Sequence, residues 1–278
     1  MDKPAYSFIY ATRTRDWLAA QPVVEPYPAA AFIDFYLYYG EALRGEPAAV
    51  RAADLDAIFG FLEFLIWIER GLVTDICGMI EGGTPYSFSP DLEVGAGSVA
   101  AQEVGHSRRA YRLLRSLEQA ESRPARWETP ALGLMLDRLA AAHPAHAELA
   151  KLLVVIFAEI DFGTVPRLMA EERLAEPVRE FAQYHETDEI LHRVYFRKVL
   201  EELVPQLSPE EGRFAAFAIR SILRALVLGT SALGEDTEDG WRPVEAHCRQ
   251  HIAYVFGTGL LADPLRLAIF QRRRELRA

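Results

Sequence analysis

In the stretch YHETDEILHR, residues 184–193, His185, Glu189 and His192 recur at i, i+4 and i+7. On an α-helix that spacing is nearly two full turns, so the three side chains share one face. Imidazole nitrogens and a carboxylate in one column are the donor set of a transition-metal site, although scattered polar groups on a solvated face produce such columns too. A second Glu-x-x-His, Glu103-Val-Gly-His106, precedes Glu189-Ile-Leu-His192 by more than eighty residues. Glutamate and histidine three apart on a helix can hold one ion together. One such pair arises readily by chance; two on separate long helices do so far less often.

Two further glutamates stand where apolar neighbours should exclude water. Glu159, in LLVVIFAEIDFG, has Val155, Ile156 and Phe162 beside it on a helix, and Glu69, in FLEFLIWIERGLV, has Leu65, Ile66, Leu72 and Val73 at i±3 and i±4. An isolated buried carboxylate costs several kcal/mol unless it is protonated, paired or metal-bound. Lysine is sparse in these stretches, so ordinary ion pairing explains little. Glu69, Glu103, Glu159 and Glu189 together carry a charge that two divalent cations neutralise. Glu63 competes with Glu69, lying six residues earlier and about a third of a turn around the helix. Glu69 is preferred because its neighbours are all aliphatic. Asp188 is placed either to orient a ligating histidine from behind or to face solvent. Tyr184 is a candidate hydrogen-bond donor near the site. Gly105, inside the first Glu-x-x-His, suggests close approach by a neighbouring helix or a ligand.

The elements needed to position these groups are helices. Apolar residues recur at helical spacing over 30–44, 48–80, 97–122, 145–174, 176–204 and 209–229. Breaks fall at Gly45–Pro47, from Gly82 through Pro90, at Ser122–Pro124 and from Pro205 through Pro209. A last helix is expected with Asp263 as cap and Pro264 in its first position. No stretch alternates convincingly at the period of a strand, and no linker divides the chain. The expectation is one all-α domain over residues 1–278, with a metal-binding core at about 48–204 and accessory helices at both ends.

One Glu from each of two helices and Glu-x-x-His from each of two others is the ligand arrangement of ferritin-like di-iron bundles. The fold expected is therefore a ferritin-like four-helix bundle core with flanking helices. Iron suits these ligands, and manganese is served by the same donor types. His185 exceeds that pattern as a seventh group. With it, the sequence resembles the p-aminobenzoate N-oxygenase family, ferritin-like di-iron arylamine oxygenases whose site has a third histidine. The separations of 34 residues from Glu69 to Glu103, 53 from His106 to Glu159 and 26 from Glu159 to His185 fit that family's layout. The resemblance covers roughly residues 60–200. Ile190-Leu191 stand where the family's last motif usually carries small or basic residues.

The resemblance implies two iron ions that activate O2 with electrons from an external donor or reductase. It implies stepwise oxidation of an amine nitrogen on a small, aromatic substrate to hydroxylamine and nitro product, in secondary metabolism, by a homodimer. Two other readings stay open: a di-iron hydroxylase or desaturase acting on carbon, and a non-catalytic iron-binding bundle.

The remaining sequence sets boundaries. A net charge of −10 argues against a nucleic-acid partner. Cys77 and Cys248 form no disulfide framework, and no basic-then-apolar leader or membrane-length run is present, so a cytoplasmic location is expected. Val99, Ala100 and Phe196 are candidates for lining substrate space, with ordinary packing the plainer reading. Arg112, Arg193 and Arg197 are candidates to meet a substrate carboxylate. His247 and His251 with Cys248, and His143 with His146, are assigned to surface, capping or turn roles.

Overall fold

The computed structural model describes residues 59–60, 62–83, 85–122, 124–162, 176–229, 233 and 238–251. All its regular elements among these residues are helical. The expected helices at 30–44 and after Asp263 lie outside the described residues. A helical segment enters at 62–65, runs through a π-helical stretch, Ile66–Val73, and continues as α1 (Thr74–Gly82). Then come α2 (Pro90–Glu121), α3 (Ala131–Ala142), α4 (Ala147–Phe162), α5 (Glu176–Leu203), α6 (Pro209–Leu228) and α7 (Glu238–His251).

Several boundaries follow from local chemistry. Helix α2 begins seven residues earlier than its periodicity suggests, because Pro90 occupies the first turn, where a missing N–H costs nothing. Ser89, just before it, donates its backbone N–H to Glu202 Oε2 and its hydroxyl to Glu202 Oε1, both at 2.7 Å. Helix α6 starts on a complete capping box in which Ser208 and Glu211 satisfy each other's backbone N–H groups. Helix α3 was not expected. Its apolar face of Leu132, Met135, Leu136 and Leu139 is buried, in a segment between the expected helices at 97–122 and 145–174 that was assigned no helix.

The π-helical stretch is the largest departure from the expected α-helix at 48–80. Thr74 donates its N–H to the carbonyl of Glu69, five residues back, rather than to Arg70. The Thr74 hydroxyl donates to the Arg70 carbonyl instead. The side chain thus satisfies the acceptor that the wider ladder leaves behind. Such stretches are rare and recur at functional sites.

Four helical rods enclose the centre of the described structure. The π–α1 rod packs on α2, α2 on α5, α5 on α4, and α4 back on the π–α1 rod. Helices α2 and α5 run antiparallel, since Ser89 meets Glu202 at one end while Gln102 meets Asp188 further along. Helices α3 and α6 cover α4, and α7 rests on α6. One hydrophobic cluster draws side chains from all seven α-helices, including Ile76, Leu92, Leu136, Phe157, Phe196, Ile222 and Val244. No helix among the described residues is long and apolar enough to cross a membrane.

Candidate metal centre

Each of the four rods sends acids inward at the same level. Glu69 comes from the π-helical stretch, Glu103 and His106 from α2, Glu159 from α4, and His185, Glu189 and His192 from α5. None of the seven is more than 3 % exposed. They form two overlapping quartets: Glu69, His106, His185 and Glu189, and Glu103, His106, Glu189 and His192. Within each quartet, one ligand atom per residue lies within 4.8 Å of all the others. Glu159 falls outside both, yet its Oε2 is 3.7 Å from His192 Nδ1.

His185 Nε2 lies 3.1 Å from Glu69 Oε1 and 3.2 Å from Glu189 Oε1. Its ring stacks on that of His106, with centroids 4.1 Å apart and planes 18° apart. His192 Nδ1 is 2.6 Å from Glu103 Oε1 and 3.7 Å from Glu189 Oε1. His106 Nδ1 is 3.6 Å from both Glu103 Oε2 and Glu189 Oε1. Glu189 Oε1 therefore meets all three histidines.

The polar chemistry of this cluster fits a bound cation. Both oxygens of Glu69 and Glu103, Oε2 of Glu159 and of Glu189, and Nδ1 of His192 are buried without a hydrogen bond. Buried polar atoms are nearly always satisfied, and exceptions call for a cause such as an ion. Lone pairs from four helices that converge without hydrogen-bond geometry are what a metal ion would organise.

The proton affinities carry the same signature. Burial raises the Glu69 carboxyl to about 7, partly offset by His185. Burial, then the charges of Glu103 and Glu189, push Glu159 well above the usual carboxylate range. Burial disfavours charge on His185 and His192, but the surrounding glutamates more than offset it, raising them to about 10 and about 11. Burial also opposes ionisation of Glu103 and Glu189, yet contact with the histidines holds both below the ordinary value. His185 and His192 thus hold their protons tightly, and a metal ion entering the cluster would compete with them.

Of the two positions open to Asp188, the structure shows it hydrogen-bonded to His106. Its Oδ2 accepts from His106 Nε2 at 3.1 Å. Gln102, which sequence reading did not single out, donates its Nε2 to Asp188 Oδ1 at 3.0 Å, and its Oε1 accepts from His192 Nε2 at 3.0 Å. Both Glu-x-x-His histidines are thereby turned with Nδ1 towards the acids. No pattern within α2 marks Gln102, because its partners are on α5. The side chain of Tyr184 lies outside the described residues.

The remaining candidates sort cleanly. Glu63 is buried away from the cluster and accepts the backbone N–H of Arg126 at 2.8 Å. Val99 and Phe196 are buried core residues, and Ala100 packs against the same core. Gly105 lies half-buried within α2. Arg193 Nε reaches back to the Glu189 carbonyl at 3.4 Å, and Arg197 pairs with Glu201 on its own helix; Arg112 is half-buried. His143 and His146 pack their rings on Phe214 at the α3–α4 turn, and Cys248 is buried. The side chains of His247 and His251 lie outside the described residues.

Fold and site together define a class: an all-helical protein with a buried histidine–glutamate cluster able to hold metal. Comparison with protein-family models and with curated proteins matches nothing to this chain.

Proposed function

We propose that this chain is a ferritin-like di-iron oxygenase that oxidises an amine nitrogen of a small aromatic substrate. The observation that carries the metal part is the convergence of four buried glutamates, with unbonded oxygens, on three histidines. Glu69, Glu103, Glu159 and Glu189 with His106, His185 and His192 would hold two iron ions, and the closed circuit of four rods is the framework a ferritin-like bundle needs. Iron, when bound, supplies O2 activation with electrons from an external donor.

The chain's own residues contribute geometry and dryness. Leu72, Val155, Ile156 and Phe196, all fully buried, flank the ligands on their helices and keep water from the oxygens. His185 supports the nitrogen-oxidising reading, because a third histidine is the feature shared with the arylamine N-oxygenases. Its inward position beside Glu69 and Glu189 is compatible with a seventh ligand.

Elemental analysis of protein loaded with Fe2+ comes first, with about two irons per chain expected. Rapid mixing of the reduced protein with O2 should then give a transient visible band whose decay is accelerated by p-aminobenzoate, with hydroxylamine or nitro product by mass spectrometry. Iron that never reacts with O2 would sink the oxygenase reading. Oxygen appearing on carbon would move the assignment to a hydroxylase.

A further inference from the structure

The chain His106–Asp188–Gln102–His192 crosses between α2 and α5 three times, and its donors and acceptors can be arranged in only one satisfying way. A carboxylate accepts at both oxygens. Its Oδ2 therefore requires a proton on His106 Nε2, and its Oδ1 requires the NH2 group of Gln102. With the amide so oriented, the Gln102 carbonyl faces His192 Nε2, which must carry a proton too. Once a metal ion displaces the second proton, the imidazole keeps one N–H, so each histidine presents its Nδ1 lone pair to the ion among the acids. Turning the Gln102 amide over would put two acceptors face to face at Asp188 and two donors at His192.

We propose that Gln102 is a positioning residue through which Asp188 sets the tautomer of His192 as well as that of His106, tying the two Glu-x-x-His halves of the metal centre together. The inference rests on the reading of the cluster as a metal site. Asp188 acts on His106 directly. It reaches His192, four residues along its own helix, only by way of α2. Outer partners of ligating histidines fix ring orientation, and their loss typically weakens metal binding about 10–100-fold.

The arrangement has a mirror-image solution that makes the test sharp. In Asp188→Asn, the new amide can satisfy either His106 or Gln102 in the native sense but not both, so one histidine adopts the wrong tautomer. In Gln102→Glu, two carboxylates meet. In the double variant Gln102→Glu/Asp188→Asn, the carboxylate introduced on α2 accepts from His192 and from the amide introduced on α5, whose oxygen accepts from His106. Every bond and the total charge are restored.

The experiment is titration of the metal-free full-length chain and its variants with Co2+, followed by calorimetry and visible absorption. Alongside it, long-range proton–nitrogen NMR of the Zn2+-loaded proteins reads the tautomer of each histidine. Each single variant should bind at least one of the two ions about 10–100-fold more weakly. The double variant should return to within a few-fold of the parent, with Nε2–H signals for His106 and His192. A double variant as weak as the singles, or singles as tight as the parent, overturns the proposal. So do parent histidines carrying their protons on Nδ1. If the single variants fail to fold, recovery of folding and binding in the double variant supports the relay, and failure of the double as well refutes it. A parent chain that binds neither Co2+ nor Zn2+ defeats the metal-site reading itself, which separates the two failures.

Discussion

Glu63 and Glu69 lie on one helical rod, six residues apart, both buried among apolar side chains, yet they are chemically opposite. Glu63 meets the loop before α3. Arg126 donates its N–H at 2.8 Å, and the backbone amides of Trp127 and Glu128 also favour its ionised form. Trp127 sits at φ 54°, in the left-handed region, and successive amides around such a residue form an anion-binding concavity. Burial still raises the Glu63 carboxyl, but its charge has a home. Glu69 faces His185, whose Nε2 lies 3.1 Å from its Oε1, and the charge of Glu103. Burial alone therefore does not mark a ligand. Glu69 is the candidate because it is gathered with histidines and other acids from separate helices.

The contrast can be broken from either side. The largest effect is expected at Glu189, whose Oε1 meets all three histidines. Glu189→Ala should lose binding at both metal positions, read as less than one Co2+ per chain at concentrations that saturate the parent.

Next comes Glu69→Ala, which should weaken one ion about 10–100-fold or more while the metal-free protein stays folded. Excess metal at about a hundred times its dissociation constant adds about 2.7 kcal/mol to a protein that binds it only when folded. Thermal melts with and without metal should therefore show a smaller upward shift for Glu69→Ala than for the parent.

Glu63→Ala should do the reverse. It strands the Arg126 N–H and costs about 1–3 kcal/mol in denaturant unfolding, while the metal content and the metal-induced shift match the parent. A Glu63 variant that loses metal would erase the distinction between the two acids.

The smallest effect is expected at the hinge of the comparison. Thr74→Val removes the hydroxyl that satisfies the Arg70 carbonyl beside the π-helical turn. It should cost about 1 kcal/mol of stability and lower metal affinity only modestly. An unchanged melt would show that the turn does not depend on that bond.

Much of the centre was legible because its residues repeat at helical spacing. Glu103/His106 and Glu189/His192 needed only the 3.6-residue period to be placed on single faces, and His185 followed from the same column. Glu159 was legible from the apolar run around it, since α4 is buried almost throughout. The choice between Glu63 and Glu69 rested on weaker ground, because both have apolar neighbours. Helix α3 was missed because its apolar pattern is only twelve residues long and carries no candidate ligand. The π-helical stretch was illegible because its i→i+5 ladder leaves no distinct signature in residue types.

The donor set, the helices that carry it and the faces on which it sits were all written into the chain, because each depends on residues within two turns of one another. Packing settled that Glu69 joins the cluster while Glu63 turns to the backbone near Arg126. Packing also settled that Gln102 links the two histidines across α2 and α5. These are matters of which lone pair meets which proton, and the partners lie sixty to ninety residues apart in the chain. Helical periodicity fixes where a side chain points; what waits there is settled only when the rods pack.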